Sequence, residues 1–285
     1  EADFSKENRK KLLSTIQNND WDLIIISHEQ FGAIPQDKEF HKGIIEKEIE
    51  EIEAAFLALE AESGEAASRK LIQGLTKRKE NLRAKLDELA DFKKDDELLS
   101  FKDIGIDHLF VDESQYFKNL AYTTRINRVS GLGNPLGSKR SYNMLVAART
   151  LQAFHGGDKG VTFVSGTPIS NSLVEMYLLL KYLRPKRMQE LGYTTFDAWV
   201  NQFAIKNREL EFTVAGGIKE KTRFREFVNV PELSLLYNEV ADVRNEHNLT
   251  IERPSIRGGK PTLVAVKQSE AQQEWTKRII QFAEQ

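Results

Sequence analysis

The sequence predicts an α/β fold, with a parallel sheet flanked by helices and an antiparallel helical hairpin inserted into it. Three observations predict this. Leu23–Ile26, Leu109–Val111 and Val161–Val164 are short apolar runs bounded by polar residues, the pattern of strands buried on both faces. Segments of helical spacing separate and follow them, as parallel strands require, because a tight turn cannot join two parallel strands. Residues 38–93 instead carry a seven-residue apolar repeat.

The chain has 285 residues, enough for one large or two modest domains, and 40% of them are hydrophobic, enough for a core. It has no cysteine, which excludes disulfides and thiolate metal sites and fits a reducing compartment; a cytoplasmic location is expected. No apolar run reaches membrane-spanning length and no signal peptide is visible, so no membrane partner is expected. The chain starts at Glu1 rather than Met and stops at Gln285 inside a helical pattern. It is read as a piece of a longer protein, whose upstream and downstream parts are its first expected partners.

In chain order, residues 1–37 begin the sheet domain. Residues 5–18 are helical in spacing, with Leu12, Leu13 and Ile16 on one side, and the run Leu23–Ile26 ends in Ser27–His28–Glu29–Gln30–Phe31. His28 has no second ligand at metal-site spacing, so a hydrogen-bonded strand-end role is the simpler reading. Residues 38–97 form the inserted hairpin. Ile45, Ile49, Ile52, Phe56 and Leu59 repeat at steps of four and three, and Leu71, Leu75, Leu82, Leu86 and Leu89 continue the pattern after a break at Ser63–Gly64. Residues 44–62 carry seven acids against Lys47, and residues 68–85 seven bases against Glu80. The simplest account is that the two helices complement each other electrostatically; a docking surface for a partner or for DNA is the alternative. As an insertion, the hairpin is expected to be removable without unfolding the sheet.

Residues 98–190 hold the other two apolar runs. A helix over 139–154 places Leu145, Ala148, Leu151 and Phe154 on one face and ends at Gly156–Gly157. A second helix, from about Ser172 to Leu183, stops at Arg184–Pro185. Residues 191–285 form an extension. It comprises a capped amphipathic helix at Thr195–Phe203 and a β-hairpin over 210–228 around Gly216–Gly217. A helix from Pro231 to about Arg244, a strand at Thr262–Val266 and a last helix beginning at Ser269 follow.

Asp112 and Glu113 follow Leu109–Val111 at its C-terminal end, the edge at which open α/β sheets bind ligands. An Asp there can hold Mg²⁺ on nucleotide phosphates, and a neighbouring Glu can orient or deprotonate the attacking water. The bland alternative is two solvated acids opening a turn. Residues 117–187 carry eleven Lys or Arg against two acids, a net of +9 hidden by the total of −2. That concentration beside strand ends suits the phosphates of a nucleotide or a nucleic acid.

Three stretches resemble the Swi/Snf-like branch of superfamily 2 helicase-type ATPases. Asp112–Glu113–Ser114–Gln115, with Phe117–Lys118–Asn119 after it, is similar to motif II, an Asp-Glu-x-His box followed by Lys-Asn. Ser165–Gly166–Thr167–Pro168–Ile169–Ser170–Asn171, continuing through Glu175 to Arg184–Pro185, is similar to motif III, and Asp22–Phe31 looks like the motif Ib strand. A narrower resemblance is to the very large adenine-methylase–helicase fusion proteins of phages and mobile elements. The resemblance covers roughly residues 15–35 and 100–190. It implies an incomplete RecA-like lobe of the P-loop NTPase type, acting with ATP and Mg²⁺ on DNA, double-stranded by analogy. Asp112 would hold Mg²⁺ and Glu113 would activate water, with Gln115 beside them. Ser165, Gly166 and Thr167 would meet the nucleotide and couple its γ-phosphate state to DNA contacts. Lys118, Asn119, Arg125, Arg128, Lys139, Arg140 and Asn171 would lie near the DNA.

The sequence departs from that pattern in places. Gln115 replaces the motif II His and cannot titrate, and no G-x-x-x-x-G-K-[ST] phosphate loop occurs in the 285 residues. The chain alone is therefore expected not to hydrolyse ATP. A non-catalytic scaffold built on a degenerate lobe and an RNA-directed ATPase are the competing readings.

Overall fold

The structure is a computed structural model describing residues 6–61, 67–91, 99–126, 129–130, 132, 135–169, 172–212, 217–244, 258–260 and 262–284. It is a mixed α/β fold with a short parallel two-stranded sheet and helices around it, compatible with an incomplete RecA-like lobe. Helices α1 (Lys6–Gln17) and α2 (His28–Gly32) come first, then the hairpin helices α3 (Lys38–Ala61) and α4 (Ala67–Asp91). Strand β1 (Leu109–Val111) and the two-residue β2 (Val129–Ser130) precede α5 (Lys139–Phe154), which leads to β3 (Val161–Phe163). Helices α6 (Leu173–Leu183), α7 (Pro185–Glu190) and α8 (Phe196–Phe203) follow. The hairpin strands β4 (Ala204–Phe212) and β5 (Ile218–Phe227), then α9 (Val230–Asn238) and α10 (Glu270–Glu284), complete the order.

β1 and β3 pair in parallel with Phe110 opposite Thr162, and α5 is the crossover between them. Caps define that crossover: the Ser138 hydroxyl accepts the Ser141 N–H at α5's start, and Gly156 (φ 69°) follows its end. The ladder runs past the strands, since Val164 N–H donates to Val111 O and Ser114 N–H to Val164 O. A second sheet has the order β2-β5-β4, with β4 and β5 antiparallel.

Several expectations are corrected here. Leu23–Ile26 is not a strand, because nothing among the described residues pairs with it. Ile24 and Ile26 lean on the core, while Leu23 and Ile25 are 70% and 86% exposed. β1 is covered on the Val111 side only, since Phe110 is exposed. Thr262–Val266 is irregular, and Leu263, Val264 and Val266 all face solvent. The helix from Pro231 stops at Asn238, well short of Arg244. α5 has no single apolar face: Phe154 is 72% exposed, and burial extends round the helix from Tyr142 to Gln152. The physical reason is that α5 is packed on two sides. Met144, Leu145, Ala147 and Leu151 join the main core, while Tyr142 and Val146 close around Ile45 of α3. The breaks at Ser63–Gly64 and at Gly216 lie outside the described residues.

The hairpin packs both on itself and against the sheet domain. Its own seam gathers Ile52, Ala55 and Leu75, and its charges pair as their segregation predicts, with Lys79 2.7 Å and Arg83 3.5 Å from Glu53. A second contact ties it to the sheet domain. Arg78 of α4 lies 3.3 Å from Glu48 of α3, both are buried, and the Arg78 guanidinium also donates to the backbone oxygen of Tyr122. Deleting 40–93 would strip Ile45 from Tyr142 and Val146 and leave Tyr122 O without its donor, so the deletion is expected to destabilise the sheet domain.

His41 marks the same junction. Its ring meets Tyr142 edge-on at 5.3 Å, and its Nε2 is buried without a hydrogen-bond partner. Burial, with the charges of Lys85 and Lys139 acting against the pull of Asp37, lowers its pKa from 6.5 to about 4. The unfolded chain then takes up a proton below pH 6.5 that the folded chain refuses until about pH 4. Stability present at pH 7 should fall as the pH drops through that window, by about 1–2 kcal/mol at pH 5. Urea midpoints at pH 7 and pH 5 measure the fall, and His41→Gln should remove most of it. An equal fall in the variant would show that His41 is not its source.

Candidate active site

The candidate site lies where β1 and β3 end together. Asp112 and Glu113 leave β1 exposed, and Ser165 leaves β3 one residue past Val164. Glu113 has φ 49° and ψ 47°, and it and Asn229 are the non-glycine residues of positive φ among the described residues. This left-handed conformation costs of order 1–3 kcal/mol and is held only where surrounding bonds fix it. Those bonds are present. Asp112 Oδ1 accepts the Glu113 N–H at 3.0 Å, Ser114 N–H continues the ladder to Val164 O, and Glu113 O accepts Tyr116 N–H in the 3₁₀ turn Ser114–Phe117.

A side-chain relay links the two strand ends. Gln115 Nε2 donates to Glu113 Oε2, and Gln115 Oε1 accepts the Ser165 hydroxyl at 2.6 Å. Ser165 Oγ in turn accepts the Thr167 N–H at 3.0 Å. Gln115 is thus the bridge: an amide donates to the carboxylate and accepts from the serine at once, without titrating. Gly166 and Thr167 are exposed in the loop that follows.

For a divalent cation, Asp112 offers one carboxylate, with Oδ1 already engaged by backbone. Among the described residues no group of three His, Cys, Asp or Glu gathers. That donor set suits Mg²⁺, which is held through one or two carboxylates with phosphate and water oxygens completing its shell. A cavity of about 560 Å³ lies elsewhere, between α3 and the end of α5, lined by Phe40, Ile44, Arg149 and Pro185 among others. It is not connected with the carboxylates by any of these residues.

The residues expected near DNA divide. Lys118 is 3.1 Å from Glu175 of α6, and Arg125 is 3.3 Å from Asp197 of α8, whose carboxylate also takes the Thr124 hydroxyl and the Arg125 N–H. Asn119 is exposed, and its backbone oxygen accepts Ser138 N–H. Arg128 and Asn171 lie outside the described residues. Lys139 and Arg140 open α5. Six of the eleven bases of the +9 stretch are therefore held by partners within the fold. Besides Lys118 and Arg125, Arg149 donates to the carbonyls of Lys181 and Tyr182, and Lys181 to that of Ala121. Arg184 and Arg187 meet Glu239.

The sequence reading missed a ring cluster beside the carboxylates. The Arg140 guanidinium sits 3.4 Å from the Tyr116 ring centre, and the His28 ring lies 5.0 Å from Tyr116 and 5.1 Å from Phe117. Ser27 and Gln30 cap each other's backbone N–H groups, which fixes His28 at the start of α2. Nothing in the spacing of positions 28, 116 and 140 signals that contact.

A strained carboxylate at a parallel strand end, bridged to the loop of the neighbouring strand, agrees with the family to which the chain belongs: the probable helicase domain, whose model matches residues 1–245. The chain is also similar to the Defense against restriction protein B of Escherichia phage P1, at 22% identity over 251 residues. That match covers 86% of the chain and 11% of the phage protein, so the chain spans about a ninth of that relative's length. No solved structure matches it. No helix among the described residues is long and apolar enough to cross a membrane.

Proposed function

We propose that the chain is part of the first RecA-like lobe of an ATP-dependent DNA translocase of the Swi/Snf-like superfamily 2 type. The observation that carries this reading is the bridge from Glu113 through Gln115 to Ser165. In the proposed chemistry Glu113 orients the attacking water and accepts its proton, and Asp112 holds Mg²⁺, which would neutralise charge on the nucleotide phosphates. Gln115 holds the Glu113 carboxylate in place and ties its position to Ser165 and Thr167. A change at the γ-phosphate then reaches the motif III loop through two hydrogen bonds. The resemblance to the methylase–helicase fusion proteins, and a phage relative named for defence against restriction, support a setting in which the nucleic acid is DNA.

The test is ATP turnover by the full-length protein, alone, with duplex DNA and with RNA. Stimulation by duplex DNA is expected. Stimulation by RNA alone would favour the RNA-directed reading, and absence of turnover under all three conditions would favour the scaffold.

A further inference from the structure

The loop that follows β3 is tied to the turn of the carboxylates at both of its ends. At the near end the Ser165 hydroxyl donates to Gln115. At the far end Ser172 caps α6: its hydroxyl accepts the Val174 N–H and its backbone oxygen the Glu175 N–H, which sets Glu175 in the first turn of the helix. A carboxylate is favoured there, because a helix N-terminus carries partial positive charge. Glu175 Oε1 lies 3.1 Å from the Lys118 ammonium, and the side chains of Lys118 and Glu175 are 33% and 10% exposed.

Lys118 also closes the turn, since its backbone N–H donates to Gln115 O at 3.2 Å. The two ties therefore leave the same turn, one from Gln115 and one from Lys118. About two helical turns along α6 from Glu175, the buried Tyr182 hydroxyl shares its proton between Ser141 O at 2.8 Å and Phe117 O at 3.1 Å. α6 thus holds the consecutive residues Phe117 and Lys118, which makes the helix and the turn one packed unit. A loop fixed at one end absorbs a shift by flexing, whereas a loop fixed at both ends passes it to the elements that hold it.

We infer that Lys118 and Glu175 are positioning residues, whose ion pair fixes the far end of the Ser165 loop and so couples the nucleotide state at Glu113 to the loop's contacts with DNA. The inference rests on the ATP-dependent, DNA-directed reading above and adds a second tie to the one through Gln115. Lys118 is then held by Glu175, in place of the DNA backbone that the resemblance implies for it.

The experiment is ATP turnover by the full-length protein, with and without a titrated DNA duplex. The readout is the ratio of DNA-stimulated to unstimulated rate in one preparation, which a lower active fraction leaves unchanged. Glu175→Gln and Lys118→Met should each lower that ratio about 5-fold or more, the lower end of coupling between sites. Lys118→Arg, which keeps the charge and the reach, should stay near wild type. Glu175→Gln combined with Lys118→Met should fall no further than either alone, as expected of residues that act as a pair. The duplex concentration for half-stimulation should stay at the wild-type value in all of them. A wild-type ratio in Glu175→Gln overturns the inference and leaves the DNA-directed reading standing. A raised half-stimulating concentration in Lys118→Met but not in Glu175→Gln also overturns it, and makes Lys118 a DNA contact. If duplex DNA does not stimulate the wild-type protein, the DNA-directed reading falls and the inference falls with it.

Discussion

Glu113→Gln in the full-length protein should lower ATP turnover by at least about 100-fold, the usual scale for removing a positioned general base, while leaving nucleotide binding nearly unchanged. Gln keeps the size of the side chain and an oxygen that can accept from Gln115, so the relay to Ser165 is retained and only the proton acceptor is lost. Nucleotide affinity and single-turnover hydrolysis, measured on the same variant, separate the two effects. Undiminished turnover would remove Glu113 from the chemistry. Glu113→Gly provides the companion measurement. Glycine adopts φ 49° freely, so the variant should be as stable as wild type or more so, yet inactive. A strained residue whose relaxation costs activity and not stability is one held for function.

The second large effect is on stability. Arg78→Ala should destabilise the chain by about 3–5 kcal/mol, because it leaves Glu48 buried and unpaired and Tyr122 O without a donor. Glu48→Leu combined with Arg78→Met should recover the part of that loss due to the unpaired Glu48, since an apolar pair of similar volume carries no desolvation penalty, while Tyr122 O stays without its donor. Urea unfolding of the two variants measures both. A loss below about 1 kcal/mol for Arg78→Ala would mean that water reaches Glu48 and that the hairpin is held less firmly than its buried contacts imply.

Helices with strong punctuation were legible in the sequence. α5 and α6 were placed to within a residue by their spacing and by the stops at Gly156–Gly157 and Arg184–Pro185, and the structure adds the caps Ser138 and Ser172 at their starts. Leu109–Val111 and Val161–Phe163 were legible as strands, and the carboxylates and the Ser165 loop were placed at one sheet edge. Leu23–Ile26 shows the limit of that reading. An apolar run records a tendency to extend, whereas a strand also needs a hydrogen-bonding neighbour, and sequence alone does not say whether one is there.

Charge was legible as a count and illegible as a field. The sequence shows Lys118, Arg125, Arg149, Arg184 and Arg187 as bases, but only the packing reveals that Glu175, Asp197, two helix-end carbonyls and Glu239 hold them. In the same way the packing, not the spacing, brings Lys85 to Tyr142 across more than fifty positions.

The buried Glu48–Arg78 pair has one more consequence. An apolar heptad seam is nearly periodic, and by hydrophobic contact alone α4 slid by one turn, about 5.4 Å, would find similar neighbours on α3. The ion pair breaks that degeneracy. In a slid register Arg78 leaves Glu48 and Tyr122 O loses its donor, so Arg78 acts as an indexing pin. It sets where along α3 the second helix stops, and so how far Lys85, seven residues further along the same helix, is carried toward α5.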